Sequence, residues 1–533
     1  MLNRRNFMAL NSAAAAGAVL SSVGSASSFI GSAQATDIGW DAGQLFHLLP
    51  SVNHDHILLK CSFRQAQADA PELHIEGRRI AGRRNDTRGM FWQFDIDELR
   101  PSTTYTLELR TSGGNVLAEP WDISTFPDPE NELEHVRIGF YSCAGGHDAI
   151  IETSGKHSTA IRRAILERLV SLGPQAIIAN GDQVYWDLWA PRLSPQYANS
   201  AAGLSYVGRF DPSKPIFGTE NEDFILKGGV EQIAPLYGTS CRSIPTFFLM
   251  DDHDYYDNDE ATDEIITFPP RDAMFRLARA TQKLSYPEFL PDPYRPYGLP
   301  GTRAVEGRPD LSSSFGTLRY GKLLEVLLYD TRRSGTMHGP SAVFVDPTVE
   351  DWLKARMRDD NVTHVVNAPS LPPGWSKGNW YDWYPDLVDE PGVDLTKPKP
   401  YWQRGWLSQH DRLLAAMHAM PGRVPLVVSG DIHASGAARI ARMGDTDLSE
   451  NPVITMLPGT PGTDGGYHDD AIHPAHLDVN DMWGLVGANG FMIGDFYRDR
   501  IECAFYTWNP ATQAVQDISQ LEPAYRTTLQ PII

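Results

Sequence analysis

Four short polar segments hold the residues of this chain that could do chemistry together. They are Tyr141-Ser142-Cys143, Asn180-Gly181-Asp182-Gln183-Val184-Tyr185, Asp251-Asp252-His253-Asp254 and Ser429-Gly430-Asp431-Ile432-His433. A thiol, carboxylates, a phenol and imidazoles converging on one place make a metal site. The Cys143 thiolate suits iron or zinc, whereas the oxygens of Asp182, Asp252 and Asp431 suit calcium, magnesium or manganese, so the mixed set points to two different metals. Asp182 follows a glycine and lies three residues before Tyr185. Its carboxylate can therefore sit between two cations about 3.5–4 Å apart while the phenol reaches one of them. Asp431 and His433, two residues apart, point the same way from an extended strand end. His253, beside Asp252, can protonate a leaving group.

Taken singly, each residue has an ordinary reading: a Gly-Asp turn, a core tyrosine, a buried inert cysteine, a hydrogen-bonded histidine, or an acidic loop in solvent formed by Asp251, Asp254, Asp257 and Asp259. The preceding elements favour the joint reading. The apolar runs VRIGF, QAIIA, IPTFFLM and VPLVV each lead straight into one segment. Such runs predict buried parallel strands, and open α/β sheets build their sites at the carboxyl ends of those strands.

The rest of the chain divides accordingly. Residues 36–127 predict an all-β sandwich from HILLKCSF, FWQFDI and TYTLELR, and Leu99–Tyr105 resembles the tyrosine corner of fibronectin type III sandwiches. Pro127–Asn131 reads as a linker. From there, 128–533 alternates strand and helix: apolar spacing predicts a helix over 158–170 that stops at Gly173-Pro174, and another over 271–290. Residues 188–243 predict loops and short helices over the site. SFGTLRYGKLLEVLLYDTRR predicts two strands joined at Tyr320-Gly321, and GFMIGDFYRDRIECAFYTWN a terminal hairpin closing the sheet.

Length and charge narrow the class. A chain of 533 residues has room for two or three domains, and its net charge of −21 makes it a poor non-specific binder of nucleic acid or anionic membrane. The first residues, Asn3-Arg4-Arg5-Asn6-Phe7-Met8, precede an Ala-rich apolar stretch ending in Ala33-Gln34-Ala35. This is the pattern of a twin-arginine signal over 1–35, which predicts twin-arginine export to the periplasm or outside, and a mature chain with no transmembrane anchor. Cys61, Cys143, Cys241 and Cys503 lie far apart with no C-x-x-C pair, and the sequence leaves their pairing open.

Together the motifs resemble the alkaline phosphatase D (PhoD-like) family of metallophosphoesterases across most of the mature chain. They are a leading β domain, then S-C, G-D-x-x-Y, D-H-D, the Tyr329-Asp330-Thr331-Arg332 strand end and G-D-x-H, in family order. The resemblance implies an α/β metallophosphoesterase-like sandwich, two mixed sheets flanked by helices, preceded by a small all-β fibronectin type III-like domain. It implies an exported hydrolase of phosphate monoesters or diesters that uses metal-activated hydroxide. It also implies Fe(III) on Cys143, Asp182, Tyr185 and His433, and calcium on Asp182, Asp252 and Asp431, with zinc, manganese or magnesium as alternatives. Asn367 is the candidate for the family's amide ligand, in an Asn-Ala-Pro context where the family more often has Asn-Gln; Asp254 stands where Glu is commoner. His253 is the expected acid. Arg332 or Arg333 could fork onto phosphate, or instead pair with the acidic loop.

Two rival readings remain. One moves the substrate to phosphodiesters such as phospholipid head groups or wall polymers, with Trp375, Trp380, Trp383, Trp402 and Trp406 lining a pocket or simply packing. The other is a non-catalytic cell-envelope binding protein, whose signature would be a lost ligand; Cys143, Asp182, Tyr185, Asp252, His253, Asp431 and His433 are all present.

Overall fold

A computed structural model of the protein describes residues 39–532, apart from 151–154, 190–204, 256–269, 271, 297, 300–307, 309, 337–338, 377–403, 421, 464–470 and 475. The expected signal over 1–35, Asp257, Asp259, Trp380, Trp383 and Trp402 lie outside the described residues.

Two four-stranded sheets come first. One runs Leu45–Val52, Ile57–Phe63, Phe91–Ile96, Arg83–Arg84; the other runs Arg78–Ala81, Glu72–Ile75, Thr104–Arg110, Trp121–Ser124. Inward residues of both, among them Leu48, Leu59, Phe94, Leu73, Leu107 and Trp121, share one core. The second sheet alternates buried and open positions along Thr104–Arg110, so its outer face meets water. The first is buried on both faces along Ile57–Phe63, because later parts of the chain cover it. There Lys60 is buried and bonds to Glu288 at 3.0 Å and the Gln282 carbonyl at 3.1 Å. Tyr105 is buried and its hydroxyl accepts the Arg100 N–H at 2.7 Å.

The predicted linker is pinned rather than loose. The Asn131 carbonyl accepts the Lys322 N–H at 2.9 Å, and a Cβ on Gly321, at φ 57°, would stand 2.6 Å from that carbonyl oxygen. The turn between the two strands predicted at Tyr320-Gly321 therefore takes glycine on two counts.

Two larger mixed sheets follow. The first has the order Thr246–Leu249, Ala176–Asn180, His135–Ser142, Asn489–Tyr497, Arg500–Trp508, Pro523–Leu529. The second, of eight strands, runs Phe315–Tyr320, Leu324–Tyr329, His364–Pro369, Leu426–Val428, Val453–Pro458, Ser435–Met443, Thr446–Asp447, with Leu477–Val486 also paired to Ser435–Met443. Their inner faces meet in one core, with Ile138, Phe140 and Ile178 from the first and Val326, Val366 and Val428 from the second. Alternate residues face outward to helices. Ile177 and Ala179 share a cluster with Ile165 and Leu169 of Thr159–Ser171; Val365 and Val427 share one with Leu353 and Leu414 of Pro347–Arg358 and Arg404–His418.

The predicted hairpin forms, but it does not close the sheet. Asn489–Tyr497 pairs with His135–Ser142 in the interior, and the edge is Pro523–Leu529. That last strand alternates half-buried and exposed residues, so it carries no apolar run to mark it in sequence. Among the described residues no helix is long and apolar enough to cross a membrane. The four cysteines are all buried and none is disulfide-bonded.

Candidate metal centre

Register explains why the four segments meet. In the first sheet Ser142 pairs with Asn180, and Asn180 with Leu249, along parallel strands. Cys143, Asp182 and Asp251-Asp252 therefore leave the sheet at one level. In the second, Tyr329 is level with Pro369, and Val428 ends the neighbouring strand before Asp431. Asn180 fastens the two sets together: its amide donates to the carbonyls of Pro369 at 2.9 Å and Val428 at 3.2 Å in the opposite sheet. The approach is close enough that a Cβ on Gly430 would stand 2.4 Å from the Asn180 carbonyl oxygen.

At these ends the backbone turns sharply. Cys143, Asp182 and Asp431 have φ of 54°, 53° and 68°. The left-handed region costs an L-residue roughly 1–3 kcal/mol and is held only where surroundings over-determine it, commonly at functional sites. Three of the ligating residues expected from sequence share this strain.

The side chains converge. Ligating atoms of Cys143, Asp182 and His433 lie within 4.8 Å of one another, as do those of Asp182, Asp252 and His253, and those of Asp251, Asp252 and Asp431. Asp182 belongs to two of these groups. Tyr185 Oη lies 3.0 Å from both Asp182 Oδ2 and His433 Nε2, and Cys143 Sγ is 2.9 Å from Ser142 Oγ. Burial would raise the Asp182 carboxyl, but His253, His433 and Lys156 overcome it and hold the group below the usual carboxylate range. Burial keeps His433 neutral, at about 4. The Cys143 thiol and Tyr185 phenol are both pushed well up, by burial first and then by the Asp182 charge.

Those conditions suit cations. Buried polar atoms are normally bonded, yet Asp182 Oδ1 is buried and makes no hydrogen bond among the described residues. A thiol and a phenol packed against carboxylates ionise only if positive charge is added, which is what a coordinating metal does. Cys143, Asp182 and His433, with Tyr185 bonded to two of them, fit one ion; beside them Asp182 reaches Asp252 and His253, and Asp252 also gathers with Asp251 and Asp431.

Asn367 is not brought to this cluster. It sits inside the strand His364–Pro369, level with Leu327 and Val427, whose side chains pack in the outer, helix-side cluster. Strand alternation puts it on the face away from the inter-sheet core that holds Val366 and Ala368. Of the two arginines, Arg332 is buried between carboxylates, its Nε 2.5 Å from Asp251 and its Nη2 3.1 Å from Asp431. Arg333 turns aside to Ser313 Oγ at 3.0 Å. Trp375 and Trp406 are buried. Asp254 works on the backbone, accepting the N–H groups of Val184 at 2.9 Å and Asp251 at 3.0 Å, and so ties two of the loops together.

Several residues escaped the sequence reading. Asp187 accepts from His253 Nδ1 at 2.8 Å, which leaves Nε2 on the side of Asp252, 3.9 Å away. Its place two residues after Tyr185 was the available signal. Lys156 lays its ammonium 3.4 Å from the centre of the Tyr185 ring and bonds Thr463 Oγ1 at 2.9 Å. Gln232 accepts the N–H groups of Gly146 at 3.0 Å and Tyr185 at 3.1 Å, and buried Arg162 donates to the carbonyls of Ala144 and Gly146 at 2.9 and 2.8 Å. Nothing local in sequence marks Gln232 or Arg162.

The fold is known. A solved structure of PhoD superposes with a TM-score of 0.58 at 13% identity, covering 92% of this chain and 91% of that one. The purple acid phosphatase PPD1 from yellow lupin (Lupinus luteus) seeds superposes with a TM-score of 0.52 at 11% identity, covering 91% of this chain and 73% of that one. The chain thus shares the fold of these two proteins. No family model and no curated protein matches its sequence.

Proposed function

We propose that the protein is an exported metal-dependent phosphoester hydrolase of the alkaline phosphatase D type. The observation that carries this reading is the position of Asp182. Its carboxylate belongs both to the Cys143–His433 group and to the Asp252–His253 group, on a backbone held at φ 53°. Iron on Cys143, Asp182, Tyr185 and His433 and calcium on Asp182, Asp252 and Asp431 match the softness of each set. When bound, such ions neutralise phosphoryl oxygens and acidify water.

The chain's own residues do the rest. Asp187 fixes the His253 ring through Nδ1, so Nε2 is presented to the site and can deliver a proton to the departing alkoxide. Arg332 bridges Asp251 and Asp431 and holds both in place. Asp254 and Gln232 fix the loops that carry Asp182 and Asp251. The paired Arg4-Arg5 ahead of an Ala-rich stretch supports twin-arginine export, and the Tyr105–Arg100 contact supports a fibronectin type III-like leading module.

The test is turnover of a chromogenic phosphate monoester and diester by the full chain, before and after chelation. Hydrolysis of either that is lost on chelation and restored by metal is expected. No turnover of either, with metals restored, overturns the hydrolase.

A further inference from the structure

Away from the strand ends, a second set of ligating side chains lies on the outer side of the larger sheet. The helix Arg404–His418 buries Trp406, His410, Leu413, Leu414 and Met417, and Asp411 stands at the margin of that face, partly exposed. Opposite it, the segment leading into Leu477–Val486 supplies His476, whose carbonyl is fixed by the Gly444 N–H at 2.8 Å. The ligating atoms of His410, Asp411 and His476 all lie within 4.8 Å of one another. Asp411 Oδ1 is central, 4.0 Å from His410 Nδ1 and 3.8 Å from His476 Nε2.

Neither distance is a hydrogen bond. Asp411 Oδ1 and His476 Nε2 are closed to solvent and make no hydrogen bond among the described residues, although buried polar atoms are normally satisfied. Helix rotation does not easily relieve this. On one side of the cluster Gln409 bonds Val345 at 2.7 Å and Glu350 at 2.9 Å, and on the other Arg412 grips Glu350 at 2.7 and 2.8 Å. Burial drives both imidazoles toward the neutral form, His476 to about 4 and His410 well below the usual histidine value. Each ring then carries a lone pair at neutral pH, which is the form that binds metal. Ligands of a tetrahedral zinc stand about 3.4 Å apart, so Asp411 and each imidazole need to draw together by only about half an ångström.

We infer that His410, Asp411 and His476 form a further cation site, separate from the strand-end centre, that takes a divalent transition metal of zinc's class through two imidazoles and one carboxylate. One carboxylate is too few oxygens for calcium, which wants six to eight. Two histidines with one carboxylate suit zinc and leave a fourth position for water. The partly exposed edge of Asp411 gives the ion its way in. Bound there, the ion ties the helix Arg404–His418 to the approach of the strand Leu477–Val486. The inference stands whether or not the strand-end centre hydrolyses phosphoesters.

Crystals of the full chain saturated with zinc, measured above and below the zinc absorption edge, test it directly. An anomalous peak between His410, Asp411 and His476 is expected; zinc at saturation with no peak there overturns the site. In solution the Asp182→Ala background sets the strand-end centre aside. Dialysis against zinc is expected to leave one equivalent on that protein, and none after either Asp411→Asn or His476→Ala. Retention of the equivalent in both variants overturns the assignment.

Discussion

At the seam between the N-terminal sheets and the later chain, Glu288 is buried with Lys60 at 2.9 Å and Arg279 at 2.7 Å. At the strand ends Asp182, Asp251 and Asp252 are just as buried. The first cluster is answered from within: one carboxylate meets two cations on ordinary backbone. The second gathers four carboxylates, Asp182, Asp251, Asp252 and Asp431, where Arg332 pairs with two of them and Lys156 and His253 stand near Asp182, with Asp182 and Asp431 in the left-handed region. Burying charge is costly unless it is paired. A cluster that closes its own balance is a structural fastening. One that gathers anionic groups in strained backbone is built to receive something.

The contrast can be broken at either end. The largest effect falls at the open cluster: Asp182→Ala is expected to abolish turnover and remove bound metal while near-UV circular dichroism stays native. Normal turnover in that variant would remove the shared-carboxylate basis of the centre. At the closed cluster, Lys60→Met leaves Glu288 to Arg279 alone and is expected to cost about 1.5–3 kcal/mol in denaturant unfolding, with metal content per folded chain unchanged.

The same fastening has a pH signature. Burial pushes the Glu288 carboxyl up, but Lys60 and Arg279 overcome that and hold it at about 2, against 4.5 when unfolded. The unfolded chain therefore binds the extra proton first. Stability from this group is present above pH 4.5 and is lost as pH falls toward 2, to the extent of about 3 kcal/mol. Glu288→Gln should flatten that part of the acid unfolding profile. The smallest effect is inside the leading sheets, where Tyr105→Phe removes one hydrogen bond and should cost about 1 kcal/mol without touching turnover.

Much of the centre is legible in sequence because strand ends are. An apolar run stopping at a polar segment fixes where Cys143, Asp182, Asp252 and Asp431 leave their strands, and parallel pairing brings the first three level. Asn367 shows the limit. Its neighbours mark a strand, but not which face of the strand it occupies, and period-two alternation sets it on the helix side. Asn180, Gln232 and Arg162 show another. Each acts on backbone groups far away in the chain, across sheets or loops, and such contacts have no local pattern. The edge strand Pro523–Leu529 went unread because half its residues face water.

Elemental analysis of the purified full chain, scaled to protein and compared with the Asp182→Ala variant, tests the centre most directly. About one iron and one or two calcium ions per wild-type chain are expected, both lost together in the variant because Asp182 serves both sets. A wild-type chain that takes up no metal on add-back, or a variant that keeps both ions, would contradict the shared carboxylate.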